Sequence, residues 1–280
     1  MTVKIITDST SDLPPEYINK YGIKVVPVYV YFGKNEYRDG IDINPTQFYQ
    51  QLASSPFHPS TSQPSVGDLF NAYNELADKG GSGIVSIHIT SKISGTLSSA
   101  KRAAELVKNR IDVVTIDSCY NSLGLGLITI AAAKIANCCG TLQQVIDETM
   151  KAISQTDMYG IFDTLKYVVR GGRISKSKAT VASIIGVKPM LKFSNGLVVQ
   201  GGLARTYNKG LEKLISFVKN KKNILSMAVA HSAIPEEAVK FKNRLIGLTG
   251  YEDEVIVGEL DPALGSHGGP GILLVALRSQ

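Results

Sequence analysis

GIVSIHITSKISGTLSSAKRAAELVKNRIDVVTI, residues 83–116, reads as strand, loop, helix and strand in succession. The apolar run Gly83–Ile89 suits a buried strand, and Asp112–Ile116 suits another. Between them, Gly95–Asn109 carries Leu97, Ala100, Ala104 and Val107 at helical spacing. The same alternation extends both ways along the chain. Upstream lie the apolar run Val3–Thr7, the β-branched and aromatic run Ile23–Phe32, and a capping box at Ser65-Val-Gly-Asp68 opening a helix to about Asp78. Downstream, Ser122–Ala136 is apolar almost throughout, which predicts a buried helix, and Thr141 caps an amphipathic helix to about Ser154. Strands separated by helices imply a mostly parallel sheet covered on both faces.

Beyond residue 158 the pattern changes. Lys188–Ser194 and Leu197–Gly202 flank Asn195-Gly196, a pair that supplies the positive φ angles of a type I′ hairpin turn. A helix from Thr206 to about Lys219 and a strand at Ile224–Ala230 follow. Pro235 then starts a helix to about Leu248, before strands at Glu254–Glu259 and Gly271–Leu277. The expected fold is α/β in two domains, 1–158 with a mostly parallel sheet and 159–280 with a mixed one.

The 280 residues supply ample core for such a fold without metals or disulfides. A charged fraction of 19% spread among apolar residues excludes disorder, and no 18-residue stretch is free of polar breaks. The opening MTVKIITDST lacks a basic segment before an apolar run, and Cys119, Cys138 and Cys139 have no metal-ligand spacing, so a reducing cytoplasm is expected. The net charge of +6 is unevenly placed: residues 1–158 carry −2 and residues 159–280 carry +8. Seven bases (Lys166, Arg170, Arg173, Lys176, Lys178, Lys188, Lys192) stand between Thr164 and Lys192 with no acid. Only Tyr167 lies among them and no nucleic-acid motif accompanies them, so an acidic protein partner suits them better than nucleic acid. Gly171-Gly172 also reads as a helix terminator, with Arg170 complementing the helix dipole.

Chemistry concentrates in polar clusters at strand ends and helix starts: Asp8–Asp12, Ser60–Ser65, Thr90–Thr96, Asp117-Ser118 and Gly265–Gly271. Ligands of open α/β sheets bind beyond the carboxyl ends of the strands. Ser94-Gly95-Thr96 starts a helix, where free N–H groups and hydroxyls suit a carboxylate or phosphate. Helix capping and loop bracing by Asp8 and Asp117 are the plainer roles for the same residues. His267 stands among small residues that offer little to bury a ring. No P-loop, G-x-S-x-G elbow or early G-x-G-x-x-G is present, position 10 is Thr where a phosphoaspartate enzyme needs Asp, and the four His make no zinc spacing. A hydrolase or acyl-transfer enzyme pairing Ser94 or Cys119 with His267 stands as the alternative to a binding protein.

Taken in order, Ile6-Thr-Asp-Ser-Thr-Ser-Asp12, Thr61-Ser-Gln-Pro-Ser65, Ile93-Ser-Gly-Thr96, Arg170-Gly-Gly-Arg-Ile-Ser175, Lys188-Pro-Met-Leu191, Ala204-Arg-Thr206 and His267-Gly-Gly-Pro-Gly271 make the chain resemble the bacterial DegV family over its whole length. The resemblance implies two α/β domains with a tunnel between them holding a long-chain fatty acid such as palmitate. It implies no cofactor and no catalysis by this chain, the fatty acid being presented to a separate kinase subunit that makes an acyl-phosphate. It places the carboxylate at Thr61 and Ser94, with His267 and Ser62 close by. Arg170, Arg173 and Arg205 become candidates for kinase docking or contact with the transferred phosphate. Burial of the acyl chain would then supply most of the affinity, at about 0.8 kcal/mol per CH₂.

Overall fold

The computed structural model describes residues 2–174 and 186–280. Strands β1 (Thr2–Asp8), β2 (Lys24–Val26), β6 (Gly81–His88) and β7 (Val113–Asp117) form a wholly parallel sheet in the order β2-β1-β6-β7. Successive side chains of a strand point to opposite faces, and both faces here are apolar. Ile6 and Ile84 face helices α3 (Val66–Asp78) and α4 (Thr96–Val107), whereas Ile5, Val85 and Ile87 face α5 (Ser122–Asn137) and α6 (Leu142–Gln155). The expected capping boxes are present: Ser65 pairs reciprocally with Asp68, and Thr141 with Gln144.

The second sheet is mixed, as expected. Its order is β10-β9-β8-β13-β11-β12, from β8 (Thr156–Ile161), β9 (Lys188–Ser194), β10 (Leu197–Ala204), β11 (Ile224–His231), β12 (Val255–Glu259) and β13 (Leu273–Ser279), with only β11 and β12 parallel. Residue 158 therefore falls inside β8, a strand of this second sheet. The Asn195-Gly196 turn has both residues at positive φ, 49° and 77°. Helices α8 (Tyr207–Lys219) and α9 (Pro235–Thr249) cover one face of the sheet. The other face rests on α5 and α6. Helix α5 is thus apolar all round because it lies between two sheets, with Gly126 close against the Ser11 carbonyl.

A third element is a small antiparallel sheet, β4-β3-β5, which the sequence reading did not anticipate. The run Ile23–Phe32, expected as one strand, is broken by Pro27, which has no N–H to give a ladder. Lys24–Val26 stays in the parallel sheet, while β3 (Tyr29–Phe32) pairs with β4 (Asn35–Arg38) and β5 (Ser60–Ser62). Its apolar face packs on Phe48 and Tyr49 of α2 (Pro45–Ser54) and on Ala263. Ala263 belongs to α10 (Pro262–Gly268), so the segment read as a loop around His267 is a short helix. Two further short helices are α1 (Pro15–Tyr21) and α7 (Lys166–Arg170), the latter ending at Gly171 as expected. No helix among the described residues is long and apolar enough to cross a membrane.

Candidate functional site

The polar clusters at the strand ends divide into braces and cavity wall. Asp8 is fully buried and spends both oxygens internally: Oδ1 accepts from the Thr10 N–H (3.2 Å) and hydroxyl, Oδ2 from the Ile89 N–H (3.1 Å) and His88 Nδ1 (2.9 Å). His88 Nε2 continues to Ser86 Oγ at 2.7 Å, and Ser86 to the Tyr73 hydroxyl at 2.8 Å, so this Asp-His-Ser series is closed off from solvent. Asp117 takes the Ser91 N–H (3.1 Å) and hydroxyl (2.6 Å), together with the Cys119 N–H (2.9 Å). Both aspartates hold loops in place, and neither is part of the cavity wall.

The loops so held open onto a cavity of about 500 Å³ between the two large sheets. That volume is within the roughly 300–1,000 Å³ of small-molecule sites. Thr61, Ser62, Ser94 and His267 all line it, although 206 residues separate Thr61 from His267. Thr61 Oγ1 lies 2.7 Å from His267 Nε2, joining β5 to α10. Ser94 Oγ lies 2.9 Å from Thr96 Oγ1 and accepts from the Thr96 N–H at 3.3 Å. The Gln63 amide packs against Gly95, at the start of α4.

Burial, reinforced by the positive field of Arg173 and then by His58, pushes His267 down to about 4, so its ring is neutral at physiological pH. Its Nδ1 is buried with no hydrogen-bond partner among the described residues. Gly171 permits this position, because a methyl group there would overlap Nδ1. Arg173 also lines the cavity and donates to the Gly171 carbonyl at 2.6 Å. The other charged residues of the described wall are Lys92 and Lys192, and it contains no carboxylate. The rest is largely apolar, with Phe162, Leu191, Phe193, Ile272 and Leu274 among its members.

These findings revise several expectations. His267 Nε2 is engaged by Thr61, and the Ser94 hydroxyl by Thr96, so the nucleophile–base pair of the hydrolase alternative is not formed. Cys119 is outside the cavity wall, and its thiol is pushed up by burial and then by Asp117, opposite to what a nucleophile needs. Arg170 and Arg205 are exposed and away from the wall, whereas Arg173 is part of it. The seven-base segment is not one unopposed patch either: Lys188 pairs with Asp163 just outside it, Lys192 faces the cavity, and Lys176 and Lys178 lie outside the described residues. Gln63 and Lys92, within two of the expected polar clusters but not singled out, are also in the wall; its apolar part was missed because ligand wall and core share one sequence pattern.

Comparisons with known proteins agree with this architecture. The DegV family model, whose description is of an uncharacterised protein family, matches residues 2–279. A protein of Bacillus subtilis named DegV is 32% identical over 277 residues, covering 98% of each chain. A crystal structure described as DegV, a fatty acid binding protein from Bacillus subtilis, superposes with a TM-score of 0.90 at 30% identity, covering 100% of both chains. A stearic acid-binding protein of Eubacterium ventriosum gives a TM-score of 0.91 at 26% identity, over 99% of this chain and 98% of that one. With the two sheets, the shared helical layer and the loops around the cavity all in place, the chain belongs to the DegV family.

Proposed function

We propose that this chain is a cytoplasmic, non-catalytic carrier that binds a long-chain fatty acid such as palmitate and presents it to a separate kinase subunit. The observation that carries the reading is the character of the cavity: a mostly apolar wall with three cations, no described carboxylate, and a cluster of hydroxyls and imidazole at one place. An anionic amphiphile matches that wall in both its parts. The relatives described as fatty acid and stearic acid binding support the same class of ligand.

The hydroxyl chemistry explains how a carboxylate can be held without a salt bridge. A hydroxyl offers one proton and two lone pairs. With its proton on Nε2, neutral His267 donates to Thr61 Oγ1, which leaves the Thr61 hydrogen for the ligand. Ser94 Oγ likewise accepts from Thr96, leaving its own hydrogen for the second carboxylate oxygen. Arg173 adds a favourable field from the rim. Arg170 and Arg205, exposed near the same domain, are offered as docking residues for the kinase, whose phosphoryl transfer would supply the chemistry this chain lacks.

Native mass spectrometry of the protein as purified from bacteria tests the ligand. A co-purifying mass of a C16 or C18 fatty acid is expected; a protein that is empty and also fails to take up added palmitate would overturn the reading. The kinase step is read separately, as acyl-phosphate formed only when both subunits are present and reduced in Arg170→Ala.

A further inference from the structure

The β9–β10 hairpin parts from the sheet that carries it. β8 pairs with β9 only from Met190 to Lys192. Residues 193–198 splay away from β8, which continues to Thr156 along β13, and their strand pairing is only within the hairpin. Phe193 and Val198 of this splayed end line the cavity. The tip crosses to the first domain, where the buried Thr90 hydroxyl donates to the Gly196 carbonyl at 2.9 Å. Gly196 is buried although its neighbours Asn195 and Leu197 are exposed. Its conformation (φ +77°) and the Thr90 Oγ1 atom, 2.6 Å from where a Cβ would sit, both require glycine. Phe193 meets Tyr120 of the first domain at 5.5 Å between ring centroids.

We propose that this hairpin tip is a strap across the cavity, latched by Thr90, and that ligand enters and leaves when it lifts. Among the described residues the tip is tied to the first domain by the Thr90 hydrogen bond and the Tyr120 contact, with Phe193 and Val198 resting on the core, and its opening breaks no ladder bond between β8 and β9. Thr90 does not belong to the carboxylate site, so it controls rate more than affinity. The identity of the ligand rests on the fatty-acid reading; the strap does not.

Two measurements test it on the full chain. In Thr90→Val, amide hydrogen exchange over residues 193–198 is expected to rise about tenfold while the rest of β9 is unchanged, as for loss of the bond to Gly196; the Lys92 N–H that Thr90 Oγ1 also accepts, at 3.3 Å, lies within the first domain's own loop and does not hold the tip. Thr90→Ser should restore the wild-type exchange, and Gly196→Ala serves as a second latch variant if Thr90→Val does not fold. In stopped flow with cis-parinaric acid, Thr90→Val should raise the association and dissociation rates together, by about tenfold, with Kd within about twofold. Unchanged exchange at the tip overturns the strap. So does a faster dissociation with unchanged association, which would make Thr90 a stabiliser of the bound state only. Failure of wild-type protein to bind parinaric acid would defeat the ligand reading, and the exchange result would still decide the strap.

Discussion

At the scale of single residues the candidate site rests on two hydroxyls and one neutral imidazole. Thr61→Ala and Ser94→Ala are each expected to weaken palmitate binding by about 1–3 kcal/mol, the cost of leaving a carboxylate oxygen without its donor. Fluorescence titration checks this, and wild-type affinity in both variants would mean the head group lies elsewhere. His267 carries a pH signature as well. Its folded-state value, about 4, is below the ordinary 6.5, so the stability tied to its neutral form is present above pH 6.5 and lost as pH falls toward 4. Thermal melts of His267→Gln should lose less stability across that window than wild type. These residues were legible chiefly through the family motifs that carry them, since hydroxyls at a helix start are most often only caps. Lys92 and Gln63 fell within the polar clusters but were not singled out, since their places in the wall come from which loops meet in space.

At the scale of elements, the helix caps were the clearest signals and the junctions the least clear. Thr141→Ala should cost about 1 kcal/mol in urea unfolding by removing the α6 cap, and should leave ligand affinity unchanged because no α6 residue lines the cavity. Gly171→Ala is the contrasting case. Its added methyl would push the His267 ring from its place, so affinity should fall several-fold with little change in secondary structure by circular dichroism. Continuous apolar runs identified the parallel strands, Asn195-Gly196 the hairpin, and Ser65 and Thr141 announced their helices. The same rules missed β4 and β5, since Asn35–Arg38 and Ser60–Ser62 are polar segments that become strands only through pairing with β3. They missed α10 for a related reason: a run rich in glycine becomes helical where Asp39 receives the Ala263 N–H at its first turn.

At the scale of the whole molecule, carboxylates buried where the domains meet set an opposing pH response. Asp39 is pushed up to about 7 by burial, against the bonds from Ser9 and Ala263 that lower it, with nearby Asp8 raising it further. Asp12 and Asp261 are raised too, chiefly by burial. The stability tied to protonated Asp39 is full below its unfolded value near 3.8 and is lost as pH rises toward 7. Asp39→Asn should therefore show a smaller fall in Tm between pH 5 and pH 8 than wild type; an equal fall would exclude Asp39 as a source. The division of the chain into a parallel and a mixed sheet was legible from the change of pattern near residue 158. What no local pattern disclosed is that α5 and α6 serve both sheets at once. That sharing makes the two halves thermodynamically inseparable. Melting of either exposes apolar surface of the other, so calorimetry should record one cooperative peak. A fragment ending at residue 155 should be sticky and poorly soluble, because its helices would present to water the face that β8, β11 and β13 now cover.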